Sequence, residues 1–163
     1  MLLTLAALVA LAWPAAVVVG AVVWVVVSAA AGAWAARRPA AAFPGTGPVL
    51  RLRRFEAGGG WYERVLRVKA WKDRLPEAGR LFGGASKRSL PPGPERLGAF
   101  AAESARAETV HWLILASTPL QALWCPPWLL AAMVGFGVVA NVPCIAVARY
   151  NRARIAAIRA RRS

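Results

Sequence analysis

The chain has 163 residues, 58% of them hydrophobic, and a mean hydropathy of +0.47, too apolar for an ordinary water-soluble domain. Its 21 Lys and Arg against 7 Asp and Glu leave a formal charge of +14. No recognition-helix, zinc-finger or base-stacking pattern accompanies that charge, so the expected partner is an anionic membrane surface and not nucleic acid.

No charged side chain occurs from Leu2 to Ala36, a run of 35 residues. A membrane-spanning helix needs about 20. Pro14 marks a kink or a helix start, which puts the core of this first span at Trp13 to Ala36. A cleaved signal peptide is the competing reading, with small residues at Ser28-Ala-Ala-Ala-Gly-Ala. Against it, no Lys or Arg precedes the run, and the run is too long for a signal core. Residues 37–48 are rich in Arg, Ala, Pro and Gly and read as a linker. Val49-Leu-Arg-Leu-Arg-Arg-Phe55 alternates apolar and basic, the pattern of a short strand or an extended interface segment. Gly58-Gly-Gly60 breaks the chain. Trp61, Val65, Val68 and Trp71 then recur at helical spacing among Arg64, Arg67, Lys69 and Lys72. That spacing predicts an amphipathic basic helix, suited to lying on a membrane surface or packing on the rest of the chain. Pro76 and Gly79 close it. Gly83-Gly84-Ala-Ser-Lys87-Arg88 lacks the spacing of a nucleotide loop and reads as a flexible basic turn. Pro91-Pro-Gly-Pro94 is a linker, and so broken a middle region is not expected to bury a core of its own.

A helix starting at Pro94-Glu95 is expected to continue through Phe100, Glu103 and His111 into a second apolar region, Val110 to Ala148. Pro126-Pro127, flanked by Trp124 and Trp128, turns that region into a hairpin, because Pro-Pro cannot continue a helix and tryptophan favours the membrane interface. The first limb, Val110 to Trp124, has 15 residues. It either crosses or re-enters; crossing is favoured, because at about 1.5 Å per residue a snorkelling start brings it nearly across. Cys125 and Cys144 lie at opposite ends of the second limb, without metal-ligand spacing, and read as apolar fillers; no metal site is expected. Between Arg37 and Arg106 lie 15 Lys and Arg, and 6 more lie from Arg149 to Arg162. The positive-inside rule places both stretches in the cytoplasm.

The expected fold is an all-α integral membrane protein of about three transmembrane helices, with a basic cytoplasmic interfacial segment between the first and second. Its parts are an N-terminal span (1–36), a basic region with an amphipathic helix (37–102), a membrane hairpin carrying the candidate active site (103–148) and a basic cytoplasmic tail (149–163). The N-terminus is then outside a cell membrane and the C-terminus cytoplasmic. A re-entrant hairpin gives the same sidedness.

The single histidine stands where the second apolar region begins, in Glu103-Ser-Ala-Arg106-Ala-Glu108-Thr-Val-His111-Trp112. A titratable cluster at the mouth of an apolar segment is costly unless it is solvated, paired or working. At about 100° per residue Ser104, Glu108, His111, Leu115 and Thr118 share one helix face. Glu108 is placed to orient His111 as a general base, and Glu103 and Arg106 to pair with each other, or Arg106 to hold an anionic group. The alternative for His111 is a snorkelling interfacial side chain. His111 and Asn141 each lie 15 residues from Pro126, so antiparallel limbs bring them to one depth. Asn141 then either hydrogen-bonds toward His111 or merely joins two helices.

Arg67-Val-Lys69-Ala-Trp71-Lys72-Asp73-Arg74-Leu75-Pro76, then Gly83-Gly84, Glu103-x-x-Arg106-Ala-Glu108-x-x-His111-Trp112, Ala140-Asn141-x-Pro143 and Arg149-Tyr150-Asn151-Arg152-x-Arg154 together resemble the glycosyl-4,4'-diaponeurosporenoate acyltransferase family. The match is in order and covers roughly residues 49 to 154. The resemblance implies the last acylation of staphyloxanthin-type carotenoid synthesis, transfer of a fatty acyl group to a sugar hydroxyl of a membrane-borne glycosyl carotenoid. The Ala-rich composition leaves another glycolipid open as acceptor. The residue-level assignment made here is His111 as base and Glu108 as its orienter. Arg106, Glu103, Lys69, Lys72, Asp73, Arg74 and Asn141 complete the candidate site, with the cations on donor phosphates. No cofactor is expected beyond acyl-CoA as co-substrate. A chain this small leaves room for a homo-oligomer around a lipid substrate. The competing function is a non-enzymatic scaffold or lipid-binding accessory protein of a biosynthetic complex.

Overall fold

Trp13–Ala36 forms the first helix, α1, in the computed structural model, which describes residues 11–75 and 93–162. Pro14 is tolerated in its first turn because the N–H that proline lacks would be unpaired there anyway. The helix is apolar all round. Its valines face outward, with Val18, Val22, Val25 and Val26 exposed, and only Ala16, Gly20, Ala31 and Ala35 are buried. Small residues one turn apart let a neighbouring helix approach closely while the valines meet an apolar surround. At 24 residues α1 is about 36 Å long, enough to cross a bilayer.

Short helical turns follow, at Ala40–Ala42, Gly47–Leu50 (α2), Arg54–Gly59, Gly60–Arg64 (α3), Val68–Trp71 (α4) and Lys72–Arg74. Two sequence expectations are corrected here. Of the two forms open to residues 49–55, the short strand is not found; they run from the end of α2 into a 3-10 turn, and their backbone carbonyls are claimed by arginines of a later helix and not by a neighbouring strand. The single helix expected over Trp61 to Trp71 is two, broken where Arg67 takes a left-handed conformation at φ 48°. The break turns Val68 into a core with Tyr62, Ala146, Val147 and Tyr150, so the middle region packs on the last helix. Gly58 and Gly59, at φ 68° and 78°, reverse the chain just before α3. The expected closing residues Pro76 and Gly79 and the basic turn Gly83–Arg88 lie outside the described residues.

Pro94–Ser117 is α5, and a 3-10 turn over Thr118–Leu123 carries the chain to α6, Pro127–Ala160. Pro126 is extended and Pro127 opens α6, so the Pro-Pro pair makes the hairpin turn expected of it. Among the described residues the protein is all-helical, and two helices, α1 and α6, are long and apolar enough to span a membrane. From Asn141 back to Pro127 the rise is about 21 Å of α-helix. From His111 through the 3-10 turn to Leu123 it is also about 21 Å, which is why the two side chains meet. At the charged end Leu97 and Phe100 of α5 pack with Ile155 of α6, while Ala105 meets Ala35 and Phe43.

Candidate active site

Four charges lie at the base of the hairpin, three of them buried (Glu56, Glu108 and Arg152) and Arg149 largely so. Glu108 on α5 is wholly buried and Glu56, from the 3-10 turn, is 1% exposed. Arg149 and Arg152, one turn apart on α6, face both. Arg149 donates from Nε and Nη2 to Glu56 at 2.7 and 2.8 Å, and from Nη1 to Glu108 Oε1 at 2.5 Å. Its two remaining N–H bonds reach the carbonyls of Val49 and Arg51, each at 3.0 Å. All five donors of that guanidinium are thereby used. Arg152 donates to the other oxygen of Glu108 and to the carbonyls of Gly45 and Leu50. The segment 45–56 is thus a strap fastened to α6 largely through its backbone. Two cations and two carboxylates balance, as buried charges must.

Glu56 shows the balance in its titration. Burial alone pushes its carboxyl up; hydrogen bonds from Arg149, Tyr62 and the Arg53 backbone outweigh that and bring it down to about 2. Burial and the neighbouring Glu56 carboxylate push the Tyr62 phenol up.

About one turn further along α5, His111 Nδ1 lies 2.9 Å from Asn141 Oδ1 on α6. Asn141 is 3% exposed, and its Nδ2 donates to the Gly137 carbonyl at 2.9 Å. A carbonyl only accepts, so the Asn141 amide group must face Gly137 and its oxygen must face the histidine. That oxygen in turn requires a proton on Nδ1, so in the neutral imidazole the basic lone pair is on Nε2. The asparagine so fixes the tautomer.

The other sequence-predicted residues are placed as follows. Glu108, expected beside His111, turns its oxygens to Arg149 and Arg152, with Trp112 Nε1 at 3.4 Å. Glu103 and Arg106 form an ion pair at 2.8 Å, and Arg106 also donates to the Arg38 carbonyl at 2.6 Å. Lys69, Lys72, Asp73 and Arg74 stand apart on α4 and the turn after it. Lys69 pairs with Glu63 at 2.8 Å and Lys72 with Asp73 at 2.7 Å, and Asp73 and Arg74 are exposed. Cys125 and Cys144 form no disulfide, and no group of three or more potential metal ligands occurs among the described residues.

Residues 47–161 match the family described as glycosyl-4,4'-diaponeurosporenoate acyltransferase. The chain belongs to that family. Its members are acyltransferases of carotenoid biosynthesis. A protein of that name from Staphylococcus haemolyticus is 28% identical over 121 residues, covering 73% of this chain and 70% of its own. No solved structure matches the chain. The family match includes the strap from residue 47, α5 and α6, so it embraces both the ion cluster and the His111–Asn141 pair.

Glu56, Arg149 and Arg152 carry the site's architecture, yet sequence reasoning gave them no role. Arg149 was visible as the first charge after a long apolar run, with Arg152 three residues on and therefore on the same face. Glu56 was visible as a lone acid behind Arg51, Arg53 and Arg54. Their pairing joins positions nearly a hundred residues apart, which local spacing does not encode.

Proposed function

We propose that this protein is a membrane acyltransferase that moves a fatty acyl group from an acyl thioester, acyl-CoA, to a sugar hydroxyl of a glycosylated carotenoid or a related glycolipid. The observation that carries the reading is the tautomer of His111, held by Asn141 so that Nε2 is the base. Nε2 takes the proton of the sugar hydroxyl as its oxygen bonds to the thioester carbonyl carbon. The tetrahedral adduct then collapses, the C–S bond breaks, and the imidazolium returns the proton to the departing thiolate. An ester and a free thiol result.

The bundle supports a site within reach of a lipid. In this reading α1 and α6 span the membrane, and the hairpin limb ending in the 3-10 turn makes a third crossing. With a hydrocarbon slab of about 30 Å and the turn at its far face, His111 sits roughly 9 Å inside the basic face. A sugar at the headgroup boundary, with its apolar tail in the bilayer, can present a hydroxyl there. The basic face is cytoplasmic by the positive-inside rule, the compartment that supplies acyl-CoA. Lys69, Lys72 and Arg74 attract donor phosphates on that face, and Asp73, Glu103 and Arg106 set local charge. Glu108 serves the site by anchoring Arg149 and Arg152 beneath His111.

Lipid mass spectrometry of cells with and without the protein tests this. The expected product is a glycosylated lipid heavier by one acyl chain, absent when His111→Ala is expressed to the same level. A fully active His111→Ala protein would overturn the base assignment. No acylated product from the wild type would favour the scaffold reading instead.

A further inference from the structure

We infer that the outer surface of the strap and α3 is a docking surface for anionic phospholipid in the leaflet beside the basic face. Between residues 51 and 67 the chain carries five arginines and two acids. Both acids are engaged elsewhere, Glu56 by Arg149 and Glu63 by Lys69 and Tyr150. The five arginines are all exposed. Beside them stand exposed apolar side chains: Val49 is 53% exposed, Phe55 58% and Val65 59%. Phe55 stands edge-on to Trp61 at 5.3 Å, and Trp61 is one turn from Arg64, the last residue of α3, and from Val65, which caps it, so the aromatic and basic groups belong to one continuous piece of surface.

Depth identifies the occupant. Arg149 is the first charge after the apolar run of α6, which marks where a membrane-spanning α6 meets the headgroups. Arg149 grips the carbonyls of Val49 and Arg51 and the carboxylate of Glu56, so the strap is held at that level. Apolar side chains there enter the acyl boundary while guanidiniums take up phosphate oxygens, the arrangement of an interfacial anchor. A soluble acidic protein would match the charge but not exposed Phe55 and Val65 at that depth. This rests on the membrane placement proposed above, though not on the acyl-transfer reading.

The test uses full-length protein in nanodiscs of phosphatidylcholine alone and of phosphatidylcholine doped with phosphatidylglycerol. Backbone amide exchange over residues 49–66 should slow when phosphatidylglycerol is present, while the hairpin turn at 118–126 stays unchanged. Native mass spectrometry should show phosphatidylglycerol retained in preference to phosphatidylcholine. An Arg54→Gln/Arg64→Gln protein should lose that preference by roughly tenfold to thirtyfold, the size expected for two arginines near an anionic surface. Neither side chain touches the ion cluster, so folding is preserved, and amide exchange of the wild type needs no variant at all. Equal exchange in both nanodiscs, with no lipid preference, overturns the inference while leaving the enzyme reading intact. Release of the protein from membranes by alkaline carbonate would overturn the membrane placement and this inference together.

Discussion

Arg149→Lys separates the geometry of the ion cluster from its charge. The substitution keeps one positive charge between Glu56 and Glu108, so the electrostatic balance survives. What it removes is donors. Arg149 offers five N–H groups, all used, at 2.5 to 3.0 Å. Lysine offers three from a single point, so at least two of the five acceptors lose their partner. A hydrogen bond to a charged group contributes about 1.5–3 kcal/mol and one between neutral partners about 1, so two losses should cost on the order of 2–4 kcal/mol. For a chain of this length that corresponds to a fall in Tm of roughly 5–15 °C. Cys125 is buried and Cys144 only partly so, so in a Cys144→Ala background a thiol-reactive dye added to detergent-solubilised protein reports unfolding through Cys125. Protease should also cut between residues 45 and 56 sooner in the variant. A Tm within about 2 °C of the wild type, with unchanged cleavage, would show that Arg149 does not fasten the strap.

Three further outcomes are expected. Asn141→Asp replaces an amide oxygen by a carboxylate at His111 Nδ1, which stabilises the imidazolium, so the acidic limb of the pH–rate profile, where the base becomes protonated, should move to higher pH; an unshifted profile with full activity would remove Asn141 as a positioning residue. Acidification should weaken the fold through Glu56: its carboxyl is held at about 2 when folded against 4.5 when unfolded, so its stabilisation is complete above pH 4.5 and lost as pH falls toward 2. Thermal scans across that window should show a slope that Glu56→Gln flattens. Gly137→Ala should lower Tm, because the added Cβ would meet Thr118 Oγ1 at 2.8 Å, whereas Gly135→Ala has open space inside α6 and should hold Tm or raise it slightly.

What the sequence revealed about the fold follows from how local each determinant is. α1 was legible because an uncharged run ends at Ala36 and one proline marks a start or a kink near Trp13, both local features. The hairpin was legible from Pro126-Pro127, and the depth of Asn141 against His111 followed from counting residues, since helices have a constant rise. The middle region misled because period-two and period-3.6 patterns assume that the backbone pairs with itself. Here Arg149 and Arg152 take the carbonyls of Gly45, Val49, Leu50 and Arg51, so alternation in 49–55 carries no strand. For Glu108, spacing along one helix points to His111 as the partner it would orient, whereas its oxygens turn to guanidiniums 41 and 44 residues away.

The strap's attachment has an evolutionary corollary. A clasp that grips main-chain oxygens does not read the side chains it holds. At 49, 50 and 51 almost any L-residue presents the same carbonyl, so these positions are free to drift, or to be tuned to a different membrane or acceptor, without loosening the scaffold beneath His111. Gly45 is the exception. Its backbone is at φ 69° and a Cβ there would collide with the Arg152 guanidinium. A library randomised across the strap should therefore recover wide variety at 49–51 and glycine alone at 45.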